Sequence, residues 1–421
     1  MNQTIAQKIL ARASGLESVQ PGEIITAKVD LALANDITAP MALSQMKAAG
    51  VSGVFNPDKI CIVAGRHLPA KDPVVAMEVA KLRNFCTQQG IQRFYGSGGE
   101  GMDHALIQEL GLARPGMLIC NADSHACTVG ALGCLSIPMG STDMAYIFAF
   151  GETWLRVPES MRVRYLGKLA PYVTSKDLVL ETLRLLGVDG AKYRSIEFDG
   201  PALADLTIDE RFTITNMAIE MGAKTAVMAP DKVTDAYLER VGAFPYLPIA
   251  SDEGAQFVED FSIDADTLRP LVACPHSPSN VRPVAELKVT KVTQVNIGTC
   301  TNGRLIDLQQ AAEIIRGRKI ANGVRLMITP ATDIVYRAAL KTGLLEVFLD
   351  AGATINSSGC GPCGGIHMGV LGADDICVAT HNRNFRGRMG HKDAQIYLAS
   401  PYVAAATAVA GVICDPSEVM Q

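Results

Sequence analysis

The sequence lacks any apolar run near the roughly 20 residues that a membrane-crossing helix needs. Its longest candidate, Val403 to Cys414, is short and rich in alanine, which predicts a core helix. A membrane is therefore not an expected partner. No basic excess exists either: 38 Lys and Arg stand against 43 Asp and Glu, a net charge of −5. Without a positive field, nucleic acid is not expected to bind. An anionic ligand would have to be met by local Arg, Lys or metal charge. The opening stretch MNQTIAQKILARA has an amphipathic helical pattern and lacks the apolar core of a secretory signal. Eleven cysteines, an odd number, do not make a disulfide framework in a chain of this length. Together with the missing export signal they predict a reducing, cytoplasmic location. Low-complexity segments, charge blocks and short-period repeats are also absent.

What is present is an alternation. Apolar β-type runs (Ile60–Ala64, Met117–Cys120, Thr225–Ala229, Val292–Ile297, Val324–Thr329) alternate with helical patterns (Val74–Gln88, Leu305–Arg316, Asp333–Thr342). Such order predicts α/β layers with mainly parallel sheets. At roughly 100–200 residues per domain, two to four domains are expected. Proline-rich stretches around Pro158–Met161 and Cys274–Pro283 suggest joints. Glycine-rich turns, Gly96–Gly101 and Gly359–Gly365, follow predicted strands, where ligands gather in open α/β sheets.

Most cysteines, such as Cys61, Cys134, Cys377 and Cys414, have apolar neighbours and suit small buried hydrophobes. The run SSGCGPCGG (357–365) is different. Cys360 and Cys363 are spaced to reach one metal centre, and the glycines allow close approach to a bulky group. A C-x-x-C also suits zinc or a thiol redox pair, although the second pair of a four-cysteine zinc site is missing. Cys300, in GTCTNGR (298–304), is expected on a strand-to-helix turn whose exposed N–H groups favour anions. Three thiolates from two turns could hold three irons of a cube and leave the fourth open. Structural cysteines, zinc and redox use remain alternatives at this point.

These turns, together with GMDH (101–104), DSHACT (123–128), TNMAIEMGA (215–223) and NRNFRGR (382–388), resemble the aconitase superfamily, specifically its isopropylmalate dehydratase and homoaconitase large-subunit branch. The resemblance covers nearly the whole chain. It implies three α/β/α domains, 1–157, 158–283 and 284–421, without the fourth, swivelling domain of single-chain relatives. It implies one [4Fe–4S] cluster per chain on Cys300, Cys360 and Cys363, with one iron not ligated by cysteine. The implied reaction is reversible dehydration of a hydroxy-dicarboxylate of the 3-isopropylmalate, homoaconitate or methylmalate type. His104 and His125 match histidines that handle the hydroxyl and its water, Asp123 orients an imidazole, and Glu220 and Asn216 match a pair around the cluster. Ser124, Arg383 and Arg388 suit substrate carboxylates, and Asn382 matches a cluster-side asparagine. Since the matched region ends by Gln421, a separate small subunit is expected to supply the swivelling domain.

The chain departs from that pattern in three places. The usual Asp-His pair is Arg66-His67, a His-Asp or Gln-Asp pair is Asn35-Asp36, and a common Gln is Ala105. His67 is still expected to act as an acid, although a nearby guanidinium disfavours imidazolium. Arg66 and Asn35 are expected to face substrate, which allows a shifted hydroxy-diacid such as 2,3-dimethylmalate or 2-methylmalate. The other reading is a catalytically altered, cluster-bearing regulatory homologue.

Overall fold

The computed structural model describes residues 2–97, 99–287 and 289–420. Its strands sort into three main sheets by position in the chain. The first has five parallel strands in the order Phe94–Tyr95, Ile60–Val63, Leu31–Asn35, Leu118–Asn121 and Leu135–Pro138. The second has four, also parallel: Thr225–Val227, Ser195–Asp199, Ser160–Leu166 and Asp260–Asp264. The third has seven, Val281–Pro283, Leu271–Ala273, Gln395–Ala399, Ile376–Ala379, Gln294–Gly298, Arg325–Thr329 and Thr354–Ile355, antiparallel only at its first two pairings. An antiparallel ribbon, Ile24–Lys28 with Glu152–Arg156, lies apart.

Burial explains the strand sequences. Every residue of Leu31–Asn35, Ile60–Val63 and Gln294–Gly298 is buried, because parallel strands are covered on both faces and read as unbroken apolar runs. The exposed ribbon strand Ile24–Lys28 alternates instead, with Ile25 and Ala27 inward. Helix ends follow local chemistry. Asp72 accepts from the Val75 N–H at 2.9 Å, Pro73 opens Pro73–Gln89, and Gly90 closes it with φ of 72°. The stretch expected as a core helix forms Pro401–Ala410, capped by Ser400. No helix among the described residues is long and apolar enough to cross a membrane.

The largest apolar core joins the three sheets, with Leu33 and Val63 from the first, Met161 and Phe198 from the second, and Cys377 and Leu398 from the third. A second core, including Ile297, Leu308, Phe348 and Val403, backs the third sheet. The proline-rich stretch 274–283 is not a linker. It is the turn of the Leu271–Ala273 and Val281–Pro283 hairpin, so the third sheet recruits strands from before residue 284.

At one point the turns of the first and third sheets meet backbone to backbone. A Cβ on Gly65 would lie 1.7 Å from the Gly101 carbonyl oxygen, and one on Gly359 would lie 2.6 Å from that of Gly65. Gly101 bridges to Thr332, and the Met102 N–H donates to the Ala331 carbonyl at 2.9 Å. In the glycine-rich turn 96–101, Gly98 lies outside the described residues. These contacts bring the turns following several strands together, and Gly65→Ala must push two backbones apart. We expect it to lower stability by about 3 kcal/mol. Gly90→Ala, at a positive φ of 72° but facing open space, should cost about 1 kcal/mol. Urea unfolding midpoints of the metal-free chain check the contrast; equal losses would show that the sheet contact is not tight.

Candidate active site

Cys300 sits in the single turn Thr299–Asn302, directly after the strand Gln294–Gly298. Cys360 and Cys363 belong to the tight turn that follows Thr354–Ile355 in the same sheet. All three are buried, and each sulfur faces an N–H donor. Asn216 Nδ2 and Asn382 Nδ2 lie 3.5 and 3.6 Å from Cys300 Sγ. Arg388 reaches Cys363 Sγ at 3.6 Å, and Arg66 NH1 reaches Cys360 Sγ at 3.5 Å. Asn382 also places its Oδ1 4.0 Å from Cys363 Sγ, so one side chain spans two of the thiols.

Electrostatics separates Cys300 and Cys363 from the other cysteines. Burial alone pushes Cys86 up to about 12, and it dominates at Cys120 and Cys377, also at about 12. Cys363 is buried too, yet the Arg388 guanidinium and His381 beside it hold it down to about 6. Burial likewise raises Cys300, but His104 outweighs it and the net shift is downward. Burial wins at Cys360, where Arg66 works against it. Cationic surroundings of this kind favour thiolates, the form that binds metal.

Among the described residues, the candidate ligands whose atoms all lie within 4.8 Å of one another are Asp103, His104 and Asp123, not the three thiols. One tetrahedral zinc would hold its sulfurs roughly 4 Å apart. The wider spread of these thiols, each with its own donor, fits a multi-iron body. Orphaned polar atoms point the same way: among the described residues, Arg66 Nε and Arg388 Nε are buried without hydrogen-bond partners.

Around the thiols stand two linked polar sets. In one, His104 Nδ1 lies 3.1 Å from Asp103 Oδ1 and 3.4 Å from Asp123 Oδ1. Burial opposes its charge, but the Cys300 sulfur and Asp103 raise it to about 10. Arg66 NH2 donates to both Asp103, at 3.1 Å, and Asp123. In the other, His125 Nε2 and Glu220 Oε1 are 2.7 Å apart, and Arg383 Nε donates to the same oxygen at 2.8 Å. Arg383 NH1 lies 3.2 Å from Ser124 Oγ, which lies 3.1 Å from His125 Nδ1. The Asp123 carboxylate joins the sets by accepting from the His125 N–H at 2.8 Å. Burial and Arg383 hold His125 well below its ordinary value. Burial pushes Glu220 up to about 7 against Arg383.

Two site residues are placed differently from the others. Asn35 Oδ1 accepts from the Ile37 and Thr38 N–H groups at 3.0 and 3.2 Å, and its amide nitrogen lies 3.4 Å from Asp103 Oδ2. Both ends are thus engaged by the chain. His67 is part exposed, its Nδ1 3.8 Å from Asp36 Oδ2, and burial lowers its pKa against the pull of that carboxylate. Asn216 and Glu220 do not share a regular helix, since Ile208–Met217 tightens into a 3-10 turn at Ala218–Met221. Asn216 turns to Cys300, and Glu220 to His125 and Arg383.

The sequence pattern of the Aconitase family (aconitate hydratase) matches residues 7–291 and 283–411. The chain belongs to the aconitase family. It is similar to the 3-isopropylmalate dehydratase large subunit of Aquifex aeolicus, with 46% identity across 100% of this chain and 98% of that protein. It is also similar to 3-isopropylmalate dehydratase large subunit 1 of Pyrococcus furiosus, with 48% identity across 99% of each. Among solved structures, Thermococcus kodakaraensis aconitase X in its holo-form aligns over 88% of both chains, with a TM-score of 0.51 and 12% identity. That likeness speaks for the mixed α/β fold alone. Membership in the aconitase family implies an iron–sulfur cluster, and the cysteine set described above fits one.

Sequence reasoning missed several members of this aconitase-family site. Asp36 accepts from the N–H groups of Gly65, Arg66 and His67 at 3.2, 3.0 and 2.8 Å, which fixes that turn. Thr301 Oγ1 links Asn216 and Asn382, both at 2.9 Å. Lys176, fully buried, donates to the carbonyls of Thr380 and His381 at 2.8 and 2.6 Å and to Asn302 Oδ1 at 3.2 Å. It pins the segment that carries Asn382 and Arg383. Its local sequence signal was only a helix start at Thr174 with a capping Asp177.

Glu220 provides a pH test. Its folded value of about 7 lies above the ordinary 4.5, so the folded chain binds the proton more tightly. That stabilisation is complete below about 4.5 and is lost as pH rises through about 7. In the metal-free chain, Glu220→Gln should remove this dependence, worth up to about 3 kcal/mol. Unfolding midpoints of both proteins between those pH values check it; a constant difference would mean that Glu220 ionises normally.

Proposed function

We propose that this chain is the cluster-bearing large subunit of a hydro-lyase that reversibly dehydrates a hydroxy-dicarboxylic acid of the 3-isopropylmalate type. One observation carries this reading. Three buried thiols, each with its own N–H donor, stand beside a His125–Glu220–Arg383 triad able to move a proton and hold an anion. Full-length relatives named 3-isopropylmalate dehydratase large subunit support the reaction class and a small-subunit partner. Cys300, Cys360 and Cys363 would hold one [4Fe–4S] cluster and leave one iron without a protein thiolate. Bound there, the cluster supplies a Lewis acid that polarises a hydroxyl or carboxylate oxygen.

The chain's own residues do the rest. Ser124 Oγ and Arg383 NH1, 3.2 Å apart, offer paired donors to a substrate carboxylate. Glu220, poised near 7, shares a proton with His125 Nε2 across 2.7 Å and can exchange it with a hydroxyl. His104, fixed at Nδ1 by Asp103 and held charged beside the Cys300 sulfur, supplies a proton donor. Asn216 and Asn382 orient the Cys300 sulfur.

Anaerobic reconstitution with iron and sulfide tests the proposal, read by EPR of the reduced protein with a panel of hydroxy-diacids. A [4Fe–4S] signal perturbed by 3-isopropylmalate is expected, and Cys363→Ser should abolish it. Turnover should be weak for the chain alone and rise with a small-subunit partner. A folded chain that takes up no cluster would refute the reading.

A further inference from the structure

Arg66 is the one strongly basic side chain of the site that is held between two carboxylates. NH2 serves Asp103, at 3.1 Å, and Asp123 together. NH1 points at Cys360 Sγ, 3.5 Å away. Nε is buried without a partner among the described residues, and the side chain is 13% exposed. Asp103 is itself fully buried and held below the ordinary carboxylate range by Arg66, against its burial. Behind the arginine, Asp36 ties down its backbone N–H at 3.0 Å, and His367 Nε2 lies 3.1 Å from its carbonyl oxygen. The fork that would grip a substrate carboxylate is thus already engaged, and releasing it would leave two buried carboxylates unpaired.

We propose that Arg66 is a positioning residue for the metal centre rather than a substrate clamp: the Asp103–Arg66–Asp123 ion triad holds a cationic N–H donor against the Cys360 sulfur and sets the reduction potential of the cluster. This rests on the cluster assignment of the preceding section. The physics has a definite sign. Reduction adds negative charge to a cluster, and hydrogen bonds and positive charge at its sulfurs favour the reduced form. Arg66 supplies both to Cys360, while Asp103 and Asp123 oppose it from the other side of the guanidinium. Arg388, which reaches Cys363 and also acts on Cys360, and His104 and Lys176, which act on Cys300, stay in place in these variants. Removing the arginine therefore withdraws a cation and also exposes the sulfur to two uncompensated carboxylates, two effects of the same direction. Removing the Asp103 charge while keeping Arg66 must act in the opposite direction.

The test uses the full chain, reconstituted anaerobically with iron and sulfide, and a potentiometric titration of the cluster followed by EPR. Arg66→Gln should lower the midpoint by at least a tenfold change in the reduction equilibrium, about 59 mV for one electron. Asp103→Asn should raise it, and the double variant should fall between the two. A variant that merely loosens the site has no reason to give opposite signs. An Arg66→Gln midpoint equal to the wild-type one, or two single variants shifted the same way, overturns the proposal. If Arg66→Gln takes up no cluster, Asp103→Asn decides alone: a midpoint at or below the wild-type value overturns it. A wild-type chain that takes up no cluster defeats the cluster assignment instead, which separates the two failures.

Discussion

A charge removed from water is costly unless another group meets it. An unpaired buried ion costs several kcal/mol, and removing one partner of a buried pair costs about as much. The centre of this molecule holds Arg66, Asp103, Asp123, Glu220 and Arg383 in close array, and the partners come from separate parts of the fold. Arg66 and Asp123 lie on turns of the first sheet, Glu220 follows a helix between strands of the second, and Arg383 follows Ile376–Ala379 of the third. The Arg383–Glu220 pair is therefore also a bond between layers, and the Arg66 contact with Cys360 joins the first layer to the third. Assembly of the layers and assembly of the site are one event.

Parallel strands make that convergence possible. Their carboxyl ends point the same way within a sheet, so the turns leaving them collect at one edge. Ile60–Val63 leads to Arg66 and His67, and its neighbour-but-one Leu118–Asn121 leads to Asp123, Ser124 and His125. In the third sheet, Gln294–Gly298 leads to Cys300, Thr354–Ile355 to Cys360 and Cys363, and Ile376–Ala379 to Asn382 and Arg383. Glycines at 65, 101 and 359 let these two edges touch backbone to backbone. Side chains there would hold the turns apart and separate the thiols from the histidines.

Much of this was legible in the sequence because it is encoded locally. Buried parallel strands are unbroken apolar runs, and those at Ile60–Val63, Leu118–Asn121 and Arg325–Thr329 lie within a residue of their expected positions. The helix Pro73–Gln89 was marked by its own Asp72, Pro73 and Gly90. The C-x-x-C pair stood out by its spacing, and the histidines by the family resemblance of their motifs. What escaped notice had no local signal. Lys176 resembles any helical lysine until the segment it binds arrives from residues far along the chain, and the pair Asn35-Asp36 gave no sign that Asp36 would fix the turn at Gly65–His67. The proline-rich stretch 274–283 suggested a joint for the same reason: the preceding strand Leu271–Ala273 pairs with Gln395–Ala399, and that pairing is not visible in a local window.

The sequence by itself determined the α/β layering and the family, because periodicity and residue chemistry are properties of short segments. Only the tertiary structure decided what each charged residue does. Arg66 could have faced a substrate, and Asn35 could have pointed into the site. Instead Arg66 is held by Asp103 and Asp123 against Cys360, and Asn35 folds back on its own turn. The reason is that the role of a charge depends on what surrounds it once water is excluded, and here those surroundings come from distant positions in the chain.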